Sequence, residues 1–495
     1  MMDFSDHSSD QDSDQDVIDE VVTACNEEVE KNLIPGLSDF IRIPNTSRNF
    51  EEEWETNGLL IKAAEYLVKW ASQQSVKGLS LQIIKEKGLT PVIYGHLKAD
   101  SSVKNPSSVL FYGHLDKQPH MEGWKEGLSP TTPVIKDDKL YGRGASDDGY
   151  AFFTAILALK ICQQLDMPLP NCHILIESDE ESGSRDLPYY LEVLKKEIGV
   201  PDYVYCLDST VRDYKRLWTQ TSLRGLVSAD LRVEILTEGV HSGDASGVVP
   251  DSFRIIRQLL ERIEDTKTGR IHEDFQVDIP AERYKEAEEF VAFSGTAHVD
   301  KYKWVEGGRP VSKSLLEVWL NRAWRPQLAV IGQEGFPPTT KAGNVLRPFT
   351  TVKLSMRLPP TLKPEFAGKR LKEILEADPP YGAKVTVENI KESGAGWALR
   401  DKGDVSKRFN EVVDTTSNLI FGTGALKAAS GGTIPIIKML DDLFPNSVLW
   451  VTGMLGPETN AHGPNECINI PYLKKFLASI VLLTSSIGDI SKDEK

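Results

Sequence analysis

Cysteine is scarce, and its number is wrong for a disulfide framework. There are five, Cys25, Cys162, Cys172, Cys206 and Cys467, and no CxxC spacing occurs. Reduced, buried thiols and a cytoplasmic location are the expectation. Long apolar runs are missing too. No stretch reaches the roughly 18 consecutive apolar residues of a membrane-spanning helix, so no membrane segment is expected. The first residues, MMDFSDHSSDQDSDQD, lack the basic start and apolar stretch of a secretory signal. They read as a disordered acidic tail over residues 1–15. Positive charge is in deficit: 57 Lys and Arg stand against 73 Asp and Glu, a net charge of -16. That balance excludes nucleic acid as the main partner and disfavours an anionic membrane surface. No internal repeat appears.

What remains is ordinary for a soluble globular protein, with 40% hydrophobic and 26% charged residues over 495 positions, enough for about two or three domains. Residues 17–42 carry helical periodicity, as do 58–75, 148–165, 187–198, 406–421 and 471–487. Short apolar runs at 109–113, 172–176, 203–207 and 447–455 read as strands buried on both faces. Strands alternating with helices imply an α/β domain on a mixed, mainly parallel sheet flanked by helices. From residue 224 the texture changes. Residues 225–236 alternate as a half-exposed strand does, followed by a helix at 251–264, a strand at 345–358, a helix at 364–377 and a strand at 383–389. A separate α+β domain with one open face is therefore expected at 224–396. It interrupts a catalytic domain made of 16–223 and 397–495.

The apolar strands end in side chains that bind metals. The run VLFYGHLD at 109–116 ends in His114 and Asp116. GRGASDDG at 142–149 supplies Asp147 and Asp148. The strand at 172–176 leads to Glu180 and Glu181, the strand at 203–207 to Asp208, and the strand at 447–455 to a loop with His462. Open α/β sheets bind ligands at the carboxyl ends of their strands. If these ends converge, six carboxylates and two imidazoles share one cleft with few basic residues nearby. Unpaired buried charges cost several kcal/mol each, so divalent metal is the economical compensation, and mixed His and carboxylate donors suit zinc or manganese. Alone, each residue has a plainer reading: His114 as a structural histidine, Glu180 and Glu181 as a solvated pair, Asp147 and Asp148 as a helix cap. The sequence holds a control in His96, which sits in the same GHL but is followed by Lys98 rather than an aspartate.

GHLDKQP, GRGASDDG, ESDEESGS, LDST and NAHGPNE, in this order and spacing, resemble the M20 family of dinuclear metallopeptidases, and most of all its cytosolic nonspecific and carnosine dipeptidase branch. The resemblance implies two divalent ions, Zn2+ or Mn2+. His114 and Asp208 would hold one, Glu181 and His462 the other, and Asp147 would bridge both. It implies Glu180 as the general base acting on a metal-bridging water. Asp116 would orient His114 through the second ring nitrogen. The family often has a cis peptide after the bridging aspartate, here between Asp147 and Asp148. In the inserted domain, which the resemblance would make a lid or dimerisation domain, GVHSGDASG matches the family's HSG motif, whose histidine, His241, reaches the partner's site in dimeric members. Arg357 and the Gly431-Gly432-Thr433 loop match the family's contacts to the substrate carboxylate, and Asn344 matches a polar substrate contact on the same domain.

Some positions depart from that branch. Ala429-Ser430 stands where it usually carries Arg-Glu, Thr433 replaces a serine, Asn344 replaces a common threonine, and Tyr150 follows the Asp-Asp-Gly. The resemblance implies a homodimeric hydrolase of dipeptides or short peptides with a free C-terminal carboxylate. An N-acyl amino acid amidohydrolase of the same fold, or a non-catalytic binding protein that kept it, are the alternatives.

Overall fold

The computed structural model describes residues 10–99 and 105–488. The chain separates into two compact units. One is drawn from Met1–Gln220, Arg400–Lys427 and Met439–Lys495; the other from Thr221–Leu399 and Ala428–Lys438. The short segment Ala428–Lys438, which carries the glycine-rich loop, thus clusters with the second unit, although by sequence it lies inside the returning first domain. Residues 1–9 of the expected tail lie outside the described residues, but the first helix already starts at Asp10. Its anchors, Val21 and Cys25, are fully buried. A helix fixed by packing extends into flanking polar residues at little further cost, because nucleation has already been met.

The first unit is built on a six-stranded sheet. In spatial order its strands are Ser80–Ile84, Val92–Leu97, Asn171–Glu177, Ser108–His114, Tyr203–Cys206 and Val448–Val451. The first three neighbours pair antiparallel; Asn171–Glu177, Ser108–His114, Tyr203–Cys206 and Val448–Val451 then run parallel. Every residue of Ser108–His114 is buried, as its unbroken apolar run predicts for a central strand. The helix Tyr150–Gln164 is apolar all round and packs on that strand, with twelve of its residues buried. By length and composition the helix Ile470–Gly488 could cross a membrane, yet 72% of that stretch is buried, against the helices Asp10–Glu28, Tyr150–Gln164 and Asp404–Phe421.

The second unit is organised on an antiparallel sheet in the order Gln327–Glu334, Phe349–Leu358, Gly225–Glu234, Lys384–Gly394. Gly225–Glu234 alternates strictly between buried and half-buried positions. Val227, Ala229, Leu231 and Val233 face a core closed by the helices Ser252–Leu260 and Pro364–Glu376. The strand Gln327–Glu334 is not legible in the sequence. It is an edge strand with Val330 and Ile331 exposed, so the one-sided burial that creates a period-two pattern is missing. The strand expected over 345–358 is broken at Pro348 into Val345–Leu346 and Phe349–Leu358. The first piece pairs with Val240–His241 in a separate two-stranded ribbon.

Candidate active site

Parallel pairing brings the ends of three strands in the first unit side by side. His114 closes Ser108–His114, and its register partner is Glu177, the last residue of the neighbouring strand. Asp208 follows two residues after Tyr203–Cys206. The loop with Asp147 packs over the same end. Gly113 makes that approach possible: a Cβ there would stand 2.6 Å from Asp148 Oδ2 and 2.7 Å from Ala151 Cβ. Asp148 Oδ2 accepts the His114 main-chain N–H at 3.2 Å, which fixes the strand end against the loop. The Asp147–Asp148 peptide bond is cis.

Two sets of donor atoms result. Those of His114, Asp147 and Asp208 lie within 4.8 Å of one another, and so do those of Asp147, Glu181 and His462. Asp147 belongs to both. His114 Nε2 is 3.2 Å from Asp147 Oδ1 and 3.8 Å from Asp208 Oδ2. His462 Nε2 is 3.0 Å from Asp147 Oδ2 and 3.4 Å from Glu181 Oε2. Glu181 Oε1 is buried without a hydrogen bond, and Asp147 Oδ2 is buried with only the His462 ring nitrogen beside it. Acceptors left that way would cost several kcal/mol, and a cation is the partner that satisfies them. The residues therefore fit a metal pair.

The electrostatics agree. Burial, then the charge of Asp208, pushes Glu180 well above the usual carboxylate range. Burial and Asp147 do the same to Glu181, and burial lifts Asp208 to about 6. Burial alone would raise Asp147 too, but His114 and His462 hold it below the usual range. Burial disfavours the His114 cation, yet Asp116, Asp147 and Asp208 together raise it well above an ordinary histidine. Anions crowded this closely call for positive charge among them.

Asp116 acts through more than its carboxylate. The nearest acceptor to His114 Nδ1 is the Asp116 main-chain oxygen at 3.0 Å, with the carboxylate Oδ1 at 3.4 Å. The carboxylate also accepts the main-chain N–H groups of Glu180 at 3.2 Å and Glu181 at 3.1 Å. It therefore ties the expected base and ligand to the histidine. His462 has φ +64°, a left-handed conformation that costs a non-glycine residue about 1 kcal/mol or more. His96 stays out of the cluster, stacked on His173 at 5.0 Å in a different part of the sheet.

The remaining expected residues lie in the second unit, in two groups. His241 pairs with Val345 across the two-stranded ribbon, and Ser242 N–H donates to Asn344 O at 2.9 Å, so His241 and Asn344 are neighbours. Both side chains are exposed. Gly243 N–H donates to His241 Nδ1 at 3.1 Å, which leaves Nε2 outward. In the second group Arg357 lies on the half-buried face of its strand and donates to Thr433 Oγ1 at 3.2 Å. The Gly432 amide donates to Ser430 Oγ at 3.3 Å.

Residues 110–486 match the peptidase family M20/M25/M40. The chain belongs to this family. The M20 chain is 29% identical over 426 residues to the rat (Rattus norvegicus) Beta-Ala-His dipeptidase, covering 81% of this chain and 80% of that one. It is 24% identical over 372 residues to the Cysteinylglycine-S-conjugate dipeptidase of Corynebacterium striatum, covering 74% and 78%. Its fold matches the di-peptidase Dug1p of Saccharomyces cerevisiae with a TM-score of 0.70 at 20% identity, over 96% of this chain and 99% of that one. It is thus an enzyme, a metallopeptidase of the M20 dipeptidase branch.

Two supports of the M20 site escape a motif reading. Glu466 Oε1 accepts the main-chain N–H groups of Gly144 at 3.1 Å, Ser146 at 3.1 Å and Asp147 at 3.3 Å. Its other oxygen pairs with buried Arg143 at 2.6 Å, and Arg143 also donates to Gly463 O at 2.9 Å. This pair locks the Asp147 loop to the His462 loop. Both residues sit inside quoted motifs, GRGASDDG and NAHGPNE, so their type was visible but not their pairing. Gln118 is the second support, donating Nε2 to Glu181 Oε2 at 2.5 Å.

Proposed function

We propose that this chain hydrolyses the amide bond of dipeptides or short peptides that end in a free carboxylate. The observation that carries the reading is the pair of donor sets sharing Asp147, with Glu180 beside them. His114 and Asp208 would hold one divalent ion, Glu181 and His462 the other, and Asp147 both; the donor chemistry suits Zn2+ or Mn2+. Such ions, when bound, polarise a carbonyl and acidify water. Glu180 takes the proton of the attacking water and delivers it to the leaving amine nitrogen as the C–N bond breaks. Asp116 holds Glu180, Glu181 and His114 in mutual register. Arg357 and Thr433 grip the substrate's carboxylate, an arrangement that a planar guanidinium suits. Asn344 and Gly432 add polar contacts on the substrate side. His241, exposed with Nε2 outward, serves the site of a partner subunit in a homodimer.

The names of the rat and Corynebacterium relatives support a dipeptide substrate. Five free, buried cysteines support a reducing compartment, the cytoplasm. The test is a dipeptide panel run with zinc, manganese and cobalt beside N-acetyl amino acids. Cleavage of dipeptides with a metal requirement is expected. Turnover of N-acetyl amino acids alone would replace this reading with an amidohydrolase.

A further inference from the structure

Arg357 is not alone beside the glycine-rich loop of the second unit. Arg224 is buried, with 9% of its surface exposed. It donates Nε to Gly431 O and Nη1 to Asn321 O, each at 3.3 Å. Its remaining amine, Nη2, faces Gly431: a Cβ there would lie 3.1 Å from it, so the absent side chain leaves that amine open to approach. Arg322 is the third member. Its main-chain oxygen would lie 3.2 Å from the same Cβ, and its guanidinium stacks over Trp319 at 5.1 Å. Thr433 joins the group from the other side, accepting from Arg357 and donating to the Arg224 main-chain oxygen.

Burial, then the charges of Arg357 and Arg322, lowers Arg224 to about 10, and burial lowers Arg322 and Arg357. Among the described residues no carboxylate pairs with any of them. Nearby arginines show the usual solution: Arg325 pairs with Glu317 at 2.6 Å and Arg232 with Glu234 at 2.7 Å. Residues 428–430, Ala-Ala-Ser, offer no acid either. Desolvated charge is kept unpaired where a ligand brings the partner. One α-carboxylate is matched by the single fork of Arg357. Arg224 and Arg322 exceed that need.

We propose that Arg224 and Arg322 bind a second negative charge of the substrate, so that the enzyme prefers peptides whose C-terminal residue is aspartate or glutamate. The inference rests on the peptide-hydrolysis reading, and its test separates the two. Binding is measured by calorimetry on the full-length, metal-loaded Glu180→Gln chain, whose slow turnover preserves the probes Ala-Glu and Ala-Gln. Ala-Glu binds about ten-fold tighter than its neutral isostere, since the site is built for a charge that glutamine lacks. Arg322→Gln erases the difference, and Arg322→Lys, which keeps the charge, restores part of it. Arg224 is buried and its loss threatens the loop, so Arg322 carries the test. Equal binding of the two probes overturns the proposal, as does a preference that survives Arg322→Gln. Failure of the unaltered chain to hydrolyse either peptide overturns the peptidase reading instead.

Discussion

The two units concentrate opposite charges. In the first, Asp116, Asp147, Asp148, Glu180, Glu181 and Asp208 crowd the ends of parallel strands with two histidines among them. In the second, Arg224, Arg322 and Arg357 gather at one glycine-rich loop, and among the described residues no carboxylate pairs with them. Neither arrangement is stable on its own terms, because unpaired charge out of water is expensive. Each would be relieved by a ligand of the other sign: divalent cations in one and, under the proposals above, substrate carboxylates in the other. The acidic cluster is anchored by strand ends and by the hydrogen bonds of the Glu466 carboxylate. In the second unit Arg357 is half-buried and His241 and Asn344 are exposed, where less fixes them.

Breaking this division should separate chemistry from recognition. Glu180→Gln has the largest expected effect, a fall in kcat of about a thousand-fold with metal content unchanged, since a general base contributes roughly that much. Paired turnover and elemental analysis check it. Retained turnover would remove Glu180 from the role. Arg357→Ala should lower kcat/KM about a hundred-fold, mainly through KM, as expected when one partner of a charge-assisted contact is lost. Normal metal content in that variant would sharpen the contrast, while lost metal would blur it. Glu466→Gln acts only through the loops it joins. It should weaken metal affinity by about ten- to a hundred-fold, measured by titration against a chelator, as outer-shell partners of metal ligands do. The smallest effect belongs to His96→Gln. The side chain lies in the same GHL tripeptide as His114 but outside the cluster, and turnover should stay within about two-fold. A large loss there would mean that the tripeptide, not its place in the sheet, marks the site.

How much of this was legible differs between the units for the same reason. His114, Asp147, Glu181, Asp208 and His462 each follow an apolar strand or sit in a glycine-rich loop, so the local pattern announces them. Their contacts were not readable. The nearest acceptor for His114 Nδ1 is a main-chain oxygen of Asp116 rather than its carboxylate, and no residue pattern distinguishes those two atoms. The Arg143–Glu466 pair spans more than three hundred positions, and each partner alone reads as surface charge. The edge strand Gln327–Glu334 left no alternation to detect because neither of its faces is fully buried.

The sequence by itself determined the alternating strands and helices, the change of texture at residue 224 and the identity of the side chains at each strand end. Periodicity and burial are local consequences of residue type, so they survive without coordinates. Only the tertiary structure decided which ends meet. It drew Asp147 into both donor sets, moved Ala428–Lys438 into the unit that carries Arg357, and placed three arginines around one loop. Such meetings depend on strand order and close approach, as at Gly113 and Gly431, and those are set by packing across the whole chain rather than by neighbours in sequence.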